Sequence, residues 1–136
     1  MNDCLFCKLA IHEIPAKVVY EDDHTLAFLD VHPRAAGHTV VIPKHHAPTL
    51  TELSDAEVGP LFGAVKRVAE KVLAALEPDG LTIGVNHGTA SGQTIPHLHV
   101  HIIPRFTDDG GGSIHSIVPD SVSVDLDAVA KKLGIG

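Results

Sequence analysis

The chain has 136 residues, of which 44% are apolar and 20% charged, a composition typical of one compact globular domain. A domain of this length buries roughly two thirds of its unfolded surface, so it can form a core without disulfide bonds. The net charge of −7 argues against binding to nucleic acids, which requires many Lys and Arg residues, but a mononucleotide needs only a few local donors.

The first residues, Met1 to Cys4, lack the basic region and apolar run of a secretory signal peptide. No apolar stretch approaches the ~20 residues that a membrane-spanning helix needs. We therefore expect a cytoplasmic protein that does not bind membranes. The two cysteines, Cys4 and Cys7, have C-x-x-C spacing, which in a reducing compartment favours a metal or redox role over a structural disulfide.

The first half of the chain predicts three short β-strands, over residues 18–20, 25–30 and 38–42. Acidic residues form a turn after the first strand, and small residues form a turn before the third. The third strand is rich in β-branched residues and bounded by Gly37 and Pro43, so we expect it to pair antiparallel with the second.

A long helix is predicted to begin at Ser54, a favourable N-cap, with Glu57 three residues on to complete a capping box. Pro60 either belongs to the first turn of a second helix or marks a kink. The helix is expected to end before Pro78. Its apolar residues recur at helical spacing: Val58, Leu61, Phe62, Val65, Val68, Ala69, Val72, Leu73 and Leu76.

The second half predicts two further strands, over residues 81–86 and 97–103, and a short C-terminal helix over residues 124–133. A loop of small residues at 87–92 precedes the last strand, and a flexible loop at 109–112 follows it. We therefore expect a single α+β domain over residues 1–136, in which one long helix covers a face of an antiparallel five-stranded sheet.

Three histidines alternate along the last predicted strand, at His97, His99 and His101. Because side chains alternate between the faces of a strand, the three imidazoles are expected on one exposed face, ~6–7 Å apart. A single buried histidine is usually a structural residue, but three with strict period two favour a functional site. The intervening residues are expected to face the core: Leu98, Val100 and Ile102.

Two kinds of site fit these histidines: a metal cage, or covalent catalysis on phosphorus in which one imidazole attacks. The preceding loop favours the second, because it offers short polar side chains and exposed backbone N–H groups that suit phosphate oxygens. A closed metal cage would not need these loop residues: Asn86, Ser91, Gly92, Gln93 and Thr94.

Residues 92–105, Gly-Gln-Thr-Ile-Pro-His-Leu-His-Val-His-Ile-Ile-Pro-Arg, resemble the motif of the histidine triad (HIT) family. The stretches 4–7, 13–16, 26–30 and 37–44 also resemble the N-terminal half of that family. The resemblance spans residues 4 to about 105 and is closest to the Hint-like branch of nucleoside phosphoramidases and nucleotide hydrolases. The C-terminal segment, residues 106–136, matches the family poorly.

The resemblance implies a HIT-like fold, a homodimer whose sheets join, and a purine nucleotide bound between sheet and loops. It also implies a two-step reaction in which His99 attacks the α-phosphorus of a nucleoside phosphoramidate or related anhydride. The leaving group departs, and water then hydrolyses the nucleotidyl-histidine.

Catalytic roles follow from the same resemblance. His99 is the nucleophile, and its other ring nitrogen is expected to donate to a backbone carbonyl. His101 contacts the phosphate, and His38 lies beside the triad. Thr94 stands where the Hint-like branch often has Ser, so the hydroxyl is kept while the added methyl alters the leaving-group preference.

The resemblance also implies a nucleotide site. Asp30 accepts hydrogen bonds from the ribose, although it could equally cap a turn. Phe6, Phe28 and Val31 contact the base, although Phe28 and Val31 could be plain core residues. The full set of nucleotide-binding candidates is Phe6, Phe28, Asp30, Val31, Asn86, Gln93, Thr94, His99 and His101.

Zinc-bearing members of the family carry two N-terminal cysteines, a histidine after the Ile-Pro-Lys strand and the first triad histidine. The corresponding residues are Cys4, Cys7, His46 and His97. Two thiolates and two imidazoles suit a structural zinc, one per chain. The alternative is a pair of reduced cysteines that pack as small hydrophobic residues.

Three other functions remain open at this point. The protein could be a nucleotide-binding adaptor with vestigial activity, a dinucleoside polyphosphate hydrolase, or a metalloenzyme with a catalytic zinc on the triad. The complete triad argues against lost catalysis, and chelation would distinguish a catalytic metal from a histidine nucleophile.

Overall fold

The computed structural model describes residues 3–135, so residues 1, 2 and 136 of the predicted domain lie outside the described residues. Three α-helices and five strands build an α+β domain over these residues. The main elements in chain order are α1 (Leu5–Ala10), β1 (Val18–Glu21), β2 (Thr25–Leu29), β3 (Thr39–Pro43), α2 (Asp55–Leu76), β4 (Gly80–Gly84), β5 (Val100–Arg105) and α3 (Leu126–Lys132).

All five strands form one antiparallel sheet in the order β1-β2-β3-β5-β4. The predicted α+β class and five-stranded antiparallel sheet are therefore confirmed. The last strand, β5, lies between β3 and β4, and Val40 of β3 pairs with His101 of β5. This crossover brings the residues around His38 next to the histidine triad.

The two faces of the sheet pack against different helices. On one face, α2 packs against side chains of the central strands and buries them, including Ala27, Val41 and Val100. On the other face, α1 packs Phe6, Leu9 and Ala10 against the alternate residues of β2 and β3, namely Leu26, Phe28, Val40 and Ile42. Leu98, Val100 and Ile102 all lie in the α2-side core, as the alternation predicted.

The long helix α2 is continuous from Asp55 to Leu76, so the second helix considered at Pro60 does not form. Ser54 is the N-cap, as predicted, but its side chain makes no capping hydrogen bond. The predicted capping box is therefore wrong. Glu57 instead places a carboxylate oxygen 3.3 Å from Nδ1 of His45, and only its backbone N–H bonds to the carbonyl of Ser54.

The last strand begins at Val100 and not at His97, which corrects the prediction. The backbone N–H of His97 donates to the carbonyl of Ile95 at 2.8 Å, and that of Leu98 donates to the carbonyl of Ala47 at 2.7 Å. These bonds hold residues 97 and 98 against a turn and the loop after β3, so they cannot join the ladder with β3. His97 is fully buried, which also corrects the expectation of an exposed face of three imidazoles.

Beyond β5 the chain lies on the surface, and every residue from Phe106 to Val129 is exposed. The short helix α3, capped by Asp125, falls within the predicted C-terminal helix. Within residues 3–135, each helix lacks either the length or the apolar character needed to cross a membrane.

Candidate active site and metal cluster

His99 immediately precedes β5 and is 8% exposed on the α1 side of the sheet. Its Nδ1 lies 2.7 Å from the carbonyl oxygen of His97. A carbonyl can only accept, so Nδ1 carries the ring proton and donates it. Nε2 of the neutral ring therefore keeps a lone pair, which is the state that a nucleophilic imidazole needs. The expected bond from the ring of His99 to a backbone carbonyl is present.

His101 and His38 form a hydrogen-bonded pair whose direction is set by the backbone. The N–H of Arg34 donates to Nδ1 of His38 at 3.0 Å, so the proton of a neutral His38 ring lies on Nε2. That Nε2 lies 3.0 Å from Nδ1 of His101 and donates to it. The ring proton of His101 is thereby placed on Nε2, at the far side of its ring.

Both rings of this pair resist protonation. Burial lowers the pKa of His38, and the positive charge of Arg34 lowers it further, while Asp30 opposes the shift. Burial, reinforced by His99 and His38, lowers the pKa of His101 to about 4. At neutral pH both rings are uncharged, so the proton arrangement described above applies.

Asp30 lies at the end of β2, where one carboxylate oxygen approaches Nε2 of His38 at 3.5 Å. The other oxygen accepts the backbone N–H of His32 at 2.8 Å. Asp30 therefore caps a turn, which was the alternative interpretation of this residue from the sequence. It also faces the histidine pair.

The three apolar residues expected around a base are in different environments. Phe6 and Phe28 are each 6% exposed and meet edge to face at 5.5 Å between ring centroids. Phe6 also lies edge-on to His97 at 5.9 Å and to His99 at 5.1 Å. Val31, by contrast, is 85% exposed. Phe6 thus supports the histidines from the core and is itself backed by Phe28, whereas Val31 lies on the surface.

The loop before the triad is organised by Gln93. Its Nε2 donates to the carbonyls of Pro48 at 2.7 Å and Ile95 at 3.0 Å, and its Oε1 accepts the N–H of Gly88 at 2.8 Å. Both side-chain donors are therefore used within the chain, and Gln93 shapes the loop. Asn86 and Thr94 are exposed, which leaves their polar groups accessible.

The four predicted metal ligands meet in one cluster. Nδ1 of His97 lies 3.4 Å from Sγ of Cys4, 3.5 Å from Sγ of Cys7 and 3.2 Å from Nδ1 of His46. The four ligand atoms all lie within 4.8 Å of one another. Both cysteines are free thiols, and burial with the neighbouring Cys4 raises the pKa of Cys7 to about 11.

His97 is oriented so that it can bind a metal. Its Nε2 donates to the carbonyl of Pro43 at 2.8 Å, which leaves the lone pair of Nδ1 directed at the sulfur atoms. Burial lowers the pKa of His97 to about 4, so this lone pair is free at neutral pH. Metal-binding histidines commonly donate their second ring nitrogen to a carbonyl in this way. The cluster therefore fits a zinc-type ion on the chemistry of its donors.

Sequence reasoning missed the groups that orient these rings, because they are backbone atoms: the carbonyl of Pro43 and the N–H of Arg34. It also missed α1, a helix of six residues that is too short to show a periodic pattern. The C-x-x-C spacing offered a signal, since Sγ of Cys4 accepts the N–H of Cys7 at the first turn of a helix.

Comparison with known proteins gives relatives over almost the whole chain. A protein of Methanocaldococcus jannaschii, described as an uncharacterized HIT-like protein, is 47% identical over 130 residues, covering 96% of this chain and 98% of the relative. An adenosine 5'-monophosphoramidase of Schizosaccharomyces pombe is 32% identical over 134 residues, covering 96% of this chain and 98% of the relative.

Solved structures give the same result. A HIT family protein from Bacillus subtilis has a TM-score of 0.86 and 38% identity, covering 97% of this chain and 95% of that chain. A zinc-bound histidine triad family protein from Mycobacterium smegmatis has a TM-score of 0.75 and 37% identity, covering 79% of this chain and 78% of that chain. The HIT domain model matches residues 12–108, and with these relatives it shows that the chain belongs to the HIT family.

Proposed function

We propose that the protein is a nucleotide-binding hydrolase that cleaves AMP from a phosphoramidate or related phosphoanhydride through a nucleotidyl intermediate on His99. The observation that carries the proposal is the 2.7 Å bond from Nδ1 of His99 to the carbonyl of His97, which puts the proton of the neutral ring on Nδ1 and leaves the lone pair of Nε2 for attack. The S. pombe relative named as a monophosphoramidase supports the substrate class.

In the first step, Nε2 of His99 forms a bond to the α-phosphorus, the bond from phosphorus to the leaving nitrogen or oxygen breaks, and the leaving atom takes a proton from solvent. Nε2–H of His101 donates a hydrogen bond to a phosphoryl oxygen and stabilises the charge that develops there. His38 keeps that proton in place through its own bond to Nδ1 of His101. In the second step, water attacks phosphorus and releases a proton to solvent, the bond from phosphorus to Nε2 breaks, its electron pair returns to Nε2, and AMP leaves.

The nucleotide is held by groups around this centre. Asp30 accepts from the ribose hydroxyls, and Val31 with Phe28 and Phe6 gives the base an apolar surface backed by the core. Asn86 and the hydroxyl of Thr94 donate to phosphate oxygens or to the leaving group. Gln93 acts with them by holding the loop in place, because its own N–H groups are occupied.

A structural zinc completes the proposal, bound one per chain by Cys4, Cys7, His46 and His97. When bound, it joins α1 to the loops before β5 and after β3 and neutralises two thiolates. The zinc-bound M. smegmatis relative supports this assignment. Thiols must be reduced to bind zinc, which fits a cytoplasmic location. Metal analysis of the purified protein and of Cys7→Ser tests it, and zinc-free wild type would contradict it.

We also propose a homodimer. Large apolar side chains outside the cavity that borders β4 and β5 are exposed along the C-terminal segment, with Val118, Val122 and Leu126 each at least 72% exposed, and β4 leaves one edge of the sheet unpaired among the described residues. A second copy of the chain would cover this surface and extend the sheet. Sedimentation equilibrium at micromolar concentration tests the proposal, and a monomer there would contradict it.

The experiment for the main proposal measures AMP release from adenosine 5'-phosphoramidate and from a dinucleoside polyphosphate. We expect wild type to turn over the phosphoramidate faster, and His99→Ala to lose turnover by a factor on the order of 10⁴–10⁶. The control is His24→Ala, which removes an exposed histidine from a turn and should leave the rate unchanged. Mass spectrometry of quenched wild type should detect AMP on His99.

The alternatives have distinct outcomes in the same experiment. Faster hydrolysis of the dinucleoside polyphosphate would identify that class of enzyme instead. AMP binding without turnover of either substrate would favour a nucleotide-binding adaptor. Prompt loss of turnover on chelation while the chain stays folded would favour a catalytic zinc, because the His99 mechanism does not need a metal.

A further inference from the structure

A cavity of about 740 Å³ lies against β4 and β5, beside the proposed catalytic centre. Its walls include His101, Asn86 and Arg34, and residues 111–114 of the C-terminal segment close its other side. Gly84 pairs with His101 across the sheet and has open space where a Cβ would lie. The cavity is therefore unobstructed next to the ring that faces the phosphate.

The two cations that line this cavity are in different states. The guanidinium of Arg105 is neutralised by both carboxylate oxygens of Asp109, at 2.8 and 3.0 Å, and also donates to Thr82. Arg105 lies four positions along β5 from His101, which is ~13 Å in an extended strand. This cation is both distant from the reacting group and already paired.

Arg34 is different. Among residues 3–135 its guanidinium makes no ion pair and no hydrogen bond, and only its backbone N–H is engaged. The positive charge of Arg34 acts on His38, because it contributes to the lowered pKa of that residue. An unpaired cation thus lines the same cavity as His101, in a chain whose net charge is −7.

We propose that Arg34 and the end of the cavity beside His101 form a leaving-group subsite that selects leaving groups carrying an anionic group, such as the carboxylate of an amino acid linked through nitrogen to AMP. The inference rests on the proposed function and specifies its substrate class. In the reaction the bond from phosphorus to Nε2 of His99 forms as the bond to the leaving nitrogen breaks, that nitrogen takes a proton from solvent, and the carboxylate stays bound to the guanidinium until the amine leaves. Arg34 acts on the part of the substrate that departs, so the bound AMP is common to all such substrates.

The test uses two substrates of equal size, the adenosine phosphoramidates of β-alanine and of β-alaninamide, which differ in the charge of one end. The measured quantity is the ratio of kcat/KM between them. We expect wild type to prefer the β-alanine conjugate roughly tenfold, as a charge-assisted hydrogen bond allows, and Arg34→Gln to bring the ratio close to one. Arg34→Lys should keep part of the preference, and added salt should reduce it in wild type.

The matched control is Lys66→Gln, which removes the same charge from an exposed position on α2, on the other face of the sheet. Its ratio should equal that of wild type. A wild-type ratio near one, or a ratio that Arg34→Gln leaves unchanged, would overturn the subsite while leaving the His99 reaction standing.

A second experiment measures the dissociation constants of both conjugates for the catalytically inactive His99→Ala variant, with and without Arg34→Gln. If neither conjugate is hydrolysed by wild type, the proposed hydrolase fails, but the ratio of dissociation constants still decides the subsite. A tenfold ratio that depends on Arg34 supports it, and equal affinities reject it.

Discussion

The α1 side of the sheet carries two clusters of histidines that share similar residues and are oriented in opposite ways by the backbone. In the metal cluster, Cys4, Cys7, His46 and His97, the outer nitrogen of His97 donates to a carbonyl and the lone pair points inward. In the proton cluster, Asp30, His38 and His101, a backbone N–H donates to the outer nitrogen of His38, so the proton points inward.

This difference decides what each cluster can hold. The ligand atoms of both lie within 4.8 Å of one another, so distance alone does not separate them. A metal on Nε2 of His38 would move the ring proton to Nδ1, where it would face the N–H of Arg34, and two donors cannot bond to each other. Hence the proton cluster disfavours a metal and suits the placement of a proton, whereas the metal cluster offers lone pairs and thiolates.

The clusters meet at His97 and His99. His97 offers Nδ1 to the metal cluster, and its carbonyl oxygen lies 2.7 Å from Nδ1 of His99, the proposed nucleophile. Phe6, which lies between the two cysteines in sequence, touches both rings edge-on. The proposed division into a structural cluster and a catalytic one is therefore testable by changing either cluster.

The largest expected effect is on folding stability when the metal is removed. With free zinc a thousandfold above its Kd, binding stabilises the folded state by about 4 kcal/mol. We expect a chelator to lower the free energy of urea unfolding of wild type by about this amount. In Cys7→Ser the chelator should change nothing, since one ligand is already lost.

The number of metal ions bound per chain tests the same difference between the two clusters. Titration with Co²⁺, followed by thiolate absorption, should saturate near one ion per chain in wild type and equally in His38→Asn. A second ion that disappears in His38→Asn would show that the proton cluster also binds metal, contrary to the orientation of His38.

The next effect is on catalysis through the orientation of His101. In His38→Asn the amide oxygen can still accept from the N–H of Arg34, but the shorter side chain no longer reaches His101. We expect kcat/KM for the phosphoramidate to fall roughly ten- to a hundredfold, because the proton on His101 is no longer held on Nε2.

A spectroscopic measurement separates this positioning role from a structural one. The ¹⁵N chemical shifts of the His101 ring report which nitrogen carries the proton. Wild type should have Nε2 protonated, and His38→Asn should have a mixture, with an unchanged unfolding midpoint in zinc. Unaltered ¹⁵N shifts with reduced activity would reject the role given to His38.

The sequence predicts the sheet well, because its strands are short, apolar and bounded by Gly, Pro or acidic turns. It places the start of β5 wrongly, since alternation continues through His97 although its backbone bonds elsewhere. The side chain of Ser54 also has the residue type of a cap without making its bond. Both errors depend on where distant backbone groups lie, which residue type does not encode.

The site shows the same limit. The identities of the triad, His38 and the four metal-cluster residues are available from the sequence by resemblance, and the structure brings each set together. The opposite orientations of the two clusters cannot be predicted from the sequence. They depend on the carbonyl of Pro43 and the N–H of Arg34, and nearly every residue has these backbone groups. Only the fold places one as an acceptor and the other as a donor.

A smaller effect is expected on the pH dependence of stability. In the unfolded chain His101 takes up a proton near pH 6.5, whereas burial in the folded chain lowers its pKa to about 4. Between these values the unfolded state binds more protons, so wild type loses stability as the pH falls, with a slope of about 1.4 kcal/mol per pH unit from this residue.

The variant His101→Gln removes this contribution. The unfolding free energy of wild type minus that of His101→Gln should be constant above pH 7. It should decrease as the pH falls from 6.5 towards 4. Urea titrations at half-unit pH intervals measure it, and zinc affects both proteins alike. A difference that does not vary with pH would mean that His101 is protonated as easily in the folded protein as in the unfolded chain.

The smallest effect tests the contact between the clusters. Phe6→Leu removes the ring that lies edge-on to His97 and His99, a loss of about 1 kcal/mol for such pairs, and kcat at saturating substrate should fall severalfold because the His99 ring is less well held. Phe28→Leu is the matched control, since Phe28 has an aromatic contact with Phe6 but none with the two histidines among the described residues. Loss of a contact with the base should raise KM in both variants. A change in kcat therefore reports on the contact with His99, the proposed nucleophile. Equal values of kcat for the two variants would show that the core supports His99 as a whole, and that Phe6 has no particular part in linking the metal cluster to the nucleophile.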